Sequence, residues 1–205
     1  MKNPNKETYD KIAEIYSKEM TQRMTWQKSL EEFATFMPQS AEIVELGCGA
    51  GNETSWLAEH IERANVTGID FSSEMIRLAN EKATPNTTFI QTEIPTYIHQ
   101  KSADGIWARG TLHHLTPDEL VATFCNASKY LSPSGTFCCI NKYGQGEVIK
   151  ETSRYGDPVE NYFNYFNEVS VPQYIIGTNL EIVQQYQMAN DEKTPYIVTY
   201  LKLKS

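Results

Sequence analysis

Cysteine is scarce in this sequence. Only four occur, Cys48, Cys125, Cys138 and Cys139, with no C-x-x-C pair and no histidine at zinc-finger spacing from any of them. Adjacent residues of a strand point to opposite faces, so Cys138 and Cys139 cannot jointly grip one metal, and no metal site is expected. The expectation for all four is small hydrophobes in a reducing compartment. Basic residues are outnumbered too, with Lys+Arg 18 against Asp+Glu 26 and a net charge of -8. That balance argues against a chain that lives on phosphate backbones by bulk electrostatics, and nucleic acid is not an expected partner. No apolar run approaches the roughly 20 residues of a membrane helix. The opening MKNPNKETYD lacks the apolar region of a secretory signal, so the expected location is cytoplasmic, with no membrane. Internal repeats, low-complexity tracts and charge blocks are missing as well. What remains is ordinary globular usage, 40% hydrophobic and 21% charged over 205 residues. That is enough for one domain, or one domain with an appended cap.

Apolar periodicity organises the chain. Residues 6–36 read as helix, with Ile12, Ala13, Ile15 and Tyr16, then Leu30, Phe33 and Phe36, at three-to-four spacing up to Pro38. Short apolar runs at Ile43–Leu46, Val66–Ile69, Thr87–Gln91, Gly105–Ala108 and Gly135–Asn141 read as strands. Helical stretches fall between them at Thr54–Ile61, at Met75–Lys82 behind a Ser72/Ser73 cap, and at Pro117–Leu131. Such alternation predicts right-handed crossovers and a parallel sheet with helices on both faces. The tail breaks the pattern. Leu180–Tyr186 and Tyr196–Leu203, joined by the turn-rich 190–195, predict an antiparallel hairpin on the sheet edge. The expected fold is therefore an α/β, Rossmann-like three-layer sandwich, with a mostly parallel seven-stranded sheet and an antiparallel last strand.

Between the first strand and the next helix lies Glu45-Leu46-Gly47-Cys48-Gly49-Ala50-Gly51. Glycines there permit a tight turn and close backbone approach to a ligand, with helix N-terminal amides facing it. The dinucleotide fingerprint wants a third glycine at position 52, where this chain has Asn52. The second strand ends in Asp70, where a carboxylate can accept hydrogen bonds from both hydroxyls of a ribose. Glu45 beside the loop favours a cationic amino group over a pyrophosphate. A ligand with a ribose, an ammonium group and no phosphate points away from NAD.

EIVELGCGAGNET, GIDFSSEMI, FIQTEI, DGIWARGTLHHL and LSPSGTFCCI resemble, in order and spacing, the successive motifs of class I S-adenosylmethionine-dependent methyltransferases over about residues 41–141. The resemblance implies S-adenosylmethionine as cofactor. It assigns Glu45, Gly47, Gly49 and Gly51 to the methionine end, Asp70 to the ribose, and Phe71 and Met75 to the surroundings of the adenine. FIQTEI aligns where the family usually carries an Asp against the adenine amino group; here Glu93, one methylene longer, stands there, followed by Ile94. The helix Tyr9 to Tyr16 resembles a lid folded over the cofactor, and the two tyrosines, seven apart, share a face. Tyr16 is then a cofactor contact and Tyr9 a substrate contact, with plain core packing the alternative for both. Arg109 follows the fourth strand, at the sheet end where open α/β sheets bind ligands. It is expected near the sulfonium or the substrate, with a structural turn as the alternative. His113 is the candidate base, because its ordinary pKa lies near working pH; a turn element is the other reading.

Residues 1–40 are expected to form an N-terminal helical lid on a methyltransferase domain spanning 41–205, with 142–178 as a substrate-cap insert. That insert is aromatic, and Tyr143, Tyr162 and Tyr165 are its candidate substrate contacts, packing onto the sheet being the competing role. It carries three basic and five acidic residues, against six and twelve in 41–141, which is not the basic entrance a polyanion needs. Neither an N-P-P-Y-like motif nor an Asp/Asn trio for a catecholate-orienting Mg²⁺ is present. The function expected is methyl transfer to a small-molecule acceptor by in-line displacement. A non-catalytic cofactor-binding module and a protein or tRNA methyltransferase are the alternatives.

Overall fold

A computed structural model describes residues 4–22, 27–189 and 195–205. Two helices open the chain, α1 (Asn5–Gln22) and α2 (Gln27–Ala34). The single helix expected over 6–36 is thus present as two, and residues 23–26 lie outside the described residues. The alternating core follows: β1 (Glu42–Leu46), α3 (Asn52–His60), β2 (Asn65–Asp70), α4 (Ser73–Asn80), β3 (Thr87–Gln91), β4 (Ala103–Arg109), α5 (Pro117–Tyr130) and β5 (Leu131–Lys142). Short 3-10 turns at Ile94–Thr96 and Leu112–His114 sit just past β3 and β4. A separate antiparallel hairpin, β6 (Glu147–Thr152) with β7 (Val159–Asn164), is followed by α6 (Ser170–Tyr174) and the closing strands β8 (Leu180–Met188) and β9 (Tyr196–Leu203).

The main sheet has seven strands in the order β3-β2-β1-β4-β5-β9-β8. β3, β2, β1, β4 and β5 run parallel, and β9 inserts antiparallel between β5 and β8. The expected sheet, with its reversed last strand, is the one observed. The turn expected at 190–195 lies, for 190–194, outside the described residues.

Alternation along the central strands fills two cores. Val44, Leu46, Ile106, Ala108 and Cys139 join Leu120, Phe124 and Val171 on the α5/α6 face. Ile43, Trp107, Cys138 and Ile140 join Leu30, Phe33 and Leu57 on the α2/α3 face. Cys138 and Cys139 therefore do look to opposite faces as buried hydrophobes, with Cys48 also buried and Cys125 exposed. Helix starts are fixed by local chemistry: Ser72 Oγ accepts from Met75 N at 3.1 Å, and Thr116 with Glu119 makes a capping box on α5. Caps of this kind contribute about 1 kcal/mol each.

The two opening helices have different duties. In α2, Leu30 and Phe33 are fully buried against the sheet. In α1, Ala13 packs with Ala50, Met75 and Leu78, and Tyr9 and Tyr16 lean on the same cluster. Position explains this, since α1 packs against α4 and β7 and reaches Ala50 of the glycine loop.

Candidate active site

β1 delivers its last residues to the carboxyl edge of the sheet. Because side chains alternate, Glu45 falls on the α2/α3 face, opposite Leu46, and is almost wholly buried. There it accepts a short hydrogen bond from Thr54 Oγ1 in the first turns of α3. One turn position away, Glu53 takes Trp107 Nε1 at 2.5 Å and Arg109 Nε at 2.6 Å, and pairs with the Arg109 guanidinium. Two carboxyls and one guanidinium thus share a buried floor. Burial first, then the charge of Glu53, holds the Glu45 carboxyl well above its ordinary range, against the pull of Thr54 and Arg109. Burial alone would lower Arg109, but the Glu53 carboxylate outweighs it and raises the guanidinium further. Two carboxyls there share one guanidinium.

The glycine loop turns over this floor. Gly47 N and Cys48 N donate to Ile69 O, at 2.8 and 2.9 Å, tying the loop to the end of β2. Asp70 accepts from Gly49 N and from Ser72 N, both at 2.9 Å. Its carboxyl is pushed up to about 6, by burial first, with those two amides pulling the other way. The loop needs glycine for space at two places. A Cβ on Gly47 would fall 2.0 Å from Thr111 Oγ1, and one on Gly51 would fall 2.8 Å from the Phe89 ring, with φ at +76° in both. Gly49 and Gly110 differ: a Cβ at Gly49 would meet only Met75 Sδ at 4.0 Å, and at Gly110 nothing within 4 Å. Of the two, Gly110 borders open space.

That space is an open cleft of about 610 Å³, its solvent-filled mouth included. Glu45, Gly47, Cys48, Asn52 and Glu53 line one side, Arg109, Gly110, Thr111 and His114 another, and Tyr9, Tyr16, Met20 and Phe71 the wall facing them. Helix α1 is held in that wall by long-range bonds. Asn5 Nδ2 donates to Tyr162 O at 3.1 Å, and Tyr162 N returns a bond to Asn5 Oδ1 at 2.8 Å. Thr8 Oγ1 donates to Glu160 O at 2.6 Å, and Asp10 receives Ser72 Oγ at 2.6 Å. Tyr9 Oη lies 2.9 Å from His114 Nε2, and His114 Nδ1 lies 2.9 Å from Tyr162 O. Burial pulls His114 down to about 4 despite the Tyr162 carbonyl, so the ring is neutral at pH 7. Tyr9 and Tyr16 have phenols raised by burial and stand edge-on at 5.4 Å.

Of the residues singled out from sequence, Tyr9, Tyr16, Glu45, Gly47, Phe71 and Arg109 meet around the cleft. Asp70 and Gly49 are bonded to each other beside it, and Met75 is buried beneath them. Gly51 sits against Phe89 and Ala79, and Ile94 is buried in the α5/α6-face core. Glu93 is solvent-exposed and pairs with Lys6 at 3.7 Å. His113 does not line the cleft. It is buried, stacks on Phe163 and accepts from Lys142 N at 3.3 Å; burial, then His114 and Lys142, push its pKa well down. Tyr143, Tyr162 and Tyr165 do not line it either. Their hydroxyls engage Glu168 at 3.3 Å, Glu147 at 2.5 Å and Lys150 at 2.7 Å, all within or beside the β6/β7 hairpin. Sequence reasoning passed over Glu53, Thr111 and the Tyr9–His114 pair. Glu53 did carry a signal, an acid in the first turn of the helix that the glycine loop opens.

Residues 43–135 match the model of a family described as a methyltransferase domain. A trans-aconitate 2-methyltransferase of Afipia carboxidovorans is 33% identical over 82 residues, 40% of this chain and 31% of that one. A malonyl-(acyl-carrier protein) O-methyltransferase of Priestia megaterium is 30% identical over 145 residues, 70% of this chain and 50% of that one. The alignments thus span about a third to a half of the length of these curated relatives. Among solved structures, an S-adenosylmethionine-dependent methyltransferase from Clostridium acetobutylicum superposes with a TM-score of 0.72 at 18% identity, covering 97% of this chain and 100% of that one. At that identity the likeness is one of fold.

Proposed function

We propose, for a chain that belongs to the class I S-adenosylmethionine-dependent methyltransferase family, that it binds S-adenosylmethionine in this cleft and methylates a small molecule. The observation that carries the reading is the buried floor in which two carboxyls, Glu45 and Glu53, share one guanidinium, Arg109, beside Gly110 and the open space it borders. The residues fit the cofactor. Glu45 is placed to hold its ammonium group, with Gly47, Arg109 and Tyr16 around the methionine end. An ionised carboxylate offers about four lone-pair sites. Asp70 therefore retains acceptors for ribose hydroxyls after bonding Gly49 and Ser72. Phe71 and Met75 bound the adenine side, with Ile94 and Glu93 further along the same edge.

When bound, S-adenosylmethionine supplies a methyl group on a positively charged sulfur, which departs as a neutral thioether and keeps the bonding pair. The chain's own task is then to orient the acceptor and exclude water, which accounts for much of the rate in such displacements. Helix α1 and the β6/β7 hairpin, joined through Asn5 and Thr8, are the cover of that chamber in this reading, as lid and substrate cap. A reducing, cytoplasmic setting goes with it, since all four cysteines are free thiols. Among the described residues no helix is long and apolar enough to cross a membrane.

Calorimetry with S-adenosylmethionine, followed by labelled-methyl transfer to metabolite, peptide and RNA pools, tests the proposal. Binding with transfer to a metabolite supports it. Transfer only to peptide or RNA replaces the acceptor class, and binding with no transfer to any pool makes the chain a cofactor-binding module.

A further inference from the structure

We infer that Tyr9 and His114 form a one-way hydrogen-bond chain, which selects a methyl acceptor carrying an N–H or O–H on its reacting atom and refuses a carboxylate. The inference rests on the methyltransferase reading and names the acceptor class for it.

The direction of the chain follows from its far end. A backbone carbonyl can only accept, so the 2.9 Å contact from His114 Nδ1 to Tyr162 O puts the ring proton on Nδ1. The ring is neutral, which leaves a lone pair on Nε2. The Tyr9 hydroxyl, 2.9 Å from Nε2, must then be the donor. A phenol has one proton, and Tyr9 commits it to His114. Only lone pairs remain on its oxygen for whatever enters the cleft. The tyrosine ring is fixed by edge contacts to Tyr16, Phe71 and His114, at centroid distances of 5.4, 6.1 and 5.4 Å. Beside it, Gly110 and Thr111 line the same cleft, and Gly110 borders its open space.

A polar group that meets Tyr9 Oη must therefore donate. A neutral amine or a hydroxyl does so. An ionised carboxylate has only acceptors, and to be bonded it must turn the Tyr9 hydroxyl away from His114, breaking the bond between them. With an N–H or O–H acceptor the transfer balances. The nucleophile's lone pair forms the bond to the methyl carbon, and the displaced pair stays with the departing sulfur. The nucleophile's proton passes to Tyr9 Oη as the Tyr9 proton passes to His114 Nε2. Burial makes the resulting imidazolium costly, so it returns the proton through Tyr9 to solvent once product leaves.

Three measurements on the full chain test this. In a labelled-methyl assay with a panel of amines, alcohols and carboxylates, trans-aconitate among them, turnover is expected on N–H or O–H acceptors. Carboxylates should fall about 10²-fold or more below these in kcat/KM, as for a site that must give up a buried hydrogen bond to take them. Tyr9→Phe keeps the ring and removes the hydroxyl; it should lower kcat about 10²-fold while leaving S-adenosylmethionine affinity within about twofold. Nitrogen-15 spectra of the unliganded protein at pH 7 should show His114 neutral with its proton on Nδ1. A carboxylate as best acceptor overturns the inference, as does a proton on Nε2. Loss of cofactor affinity in Tyr9→Phe in step with activity also overturns it, because the donor facing Tyr9 is then the cofactor's ammonium. No binding of S-adenosylmethionine defeats the methyltransferase reading and this inference together; a wrong tautomer defeats this inference alone.

Discussion

The floor of the cleft and the wall that faces it are assembled over different stretches of chain. Glu45, Glu53 and Arg109 reach their partners across 9, 54 and 56 positions, along strands and turns of one sheet. Tyr9, Thr8 and Asn5 reach theirs across 105, 152 and 157, from a helix at one end of the chain to a hairpin near the other. The floor is part of the core, since Glu53 binds the fully buried Trp107. The wall is an addition, held by long-range hydrogen bonds and by the packing of Ala13 on Ala50, Met75 and Leu78. In the methyltransferase reading the wall, rather than the floor, is the part that would open to admit a ligand and close to exclude water.

The comparison breaks most visibly if the floor is broken. Glu53→Ala leaves the Arg109 guanidinium buried without its carboxylate and is expected to cost about 3–5 kcal/mol of stability in denaturant titrations. A loss below about 1 kcal/mol would make the floor an accessory rather than core.

Acid distinguishes the two regions by sign. His114, in the wall, has its pKa lowered from 6.5 to about 4 in the fold. The unfolded chain takes up the proton first, so His114 contributes stability above pH 6.5 that is lost as pH falls through 4, on the order of 3 kcal/mol. Asp70, beside the floor, has its pKa raised from 3.8 to about 6, so there the folded chain takes up the proton first. Its contribution becomes more favourable as pH falls through 6 towards 3.8. Stability profiles should therefore flatten between pH 6.5 and 4 in His114→Gln and steepen in Asp70→Asn. The opposite pair of changes would show that the two groups are not buried as described.

Cofactor affinity sharpens the comparison further. Asp70→Ala should weaken S-adenosylmethionine at least about tenfold, by loss of charge-assisted bonds; unchanged affinity would remove its ribose role. The wall variant Asn5→Ala should have the smallest effect, about 1 kcal/mol or less on global unfolding. It should nonetheless speed amide exchange in α1 ahead of the sheet. Exchange that rises equally in α1 and in β1 would mean that wall and floor open together.

Legibility in the sequence follows the same division. Strands β1 to β5, the glycine loop and Asp70 are read from local spacing, because each acts within a few residues of its neighbours along the chain. Even the reversed closing strand is visible as a second apolar run beyond the last helix-strand unit. The β6/β7 hairpin is not, because Asn161 and Asn164 occupy buried positions of β7 and spoil its apolar alternation. Its aromatic residues suggested a pocket lining. The structure instead spends the hydroxyls of Tyr162 and Tyr165 on Glu147 and Lys150 of the facing strand, and uses the backbone of Tyr162 to orient His114. His113 and His114 are indistinguishable in the sequence, and distant partners separate them: Tyr9 and Tyr162 for His114, Lys142 for His113.

The most direct test of the central claim is calorimetry of S-adenosylmethionine binding near neutral pH, in two buffers of different ionisation enthalpy, with NAD⁺ titrated as a control. The Glu45 carboxyl is held high by burial, and an ammonium group beside it should draw it back towards ionisation. The account predicts that S-adenosylmethionine binds without taking up protons from buffer, and that NAD⁺ gives no heat. Binding of NAD⁺ in place of S-adenosylmethionine, or proton uptake when the latter binds, would contradict it.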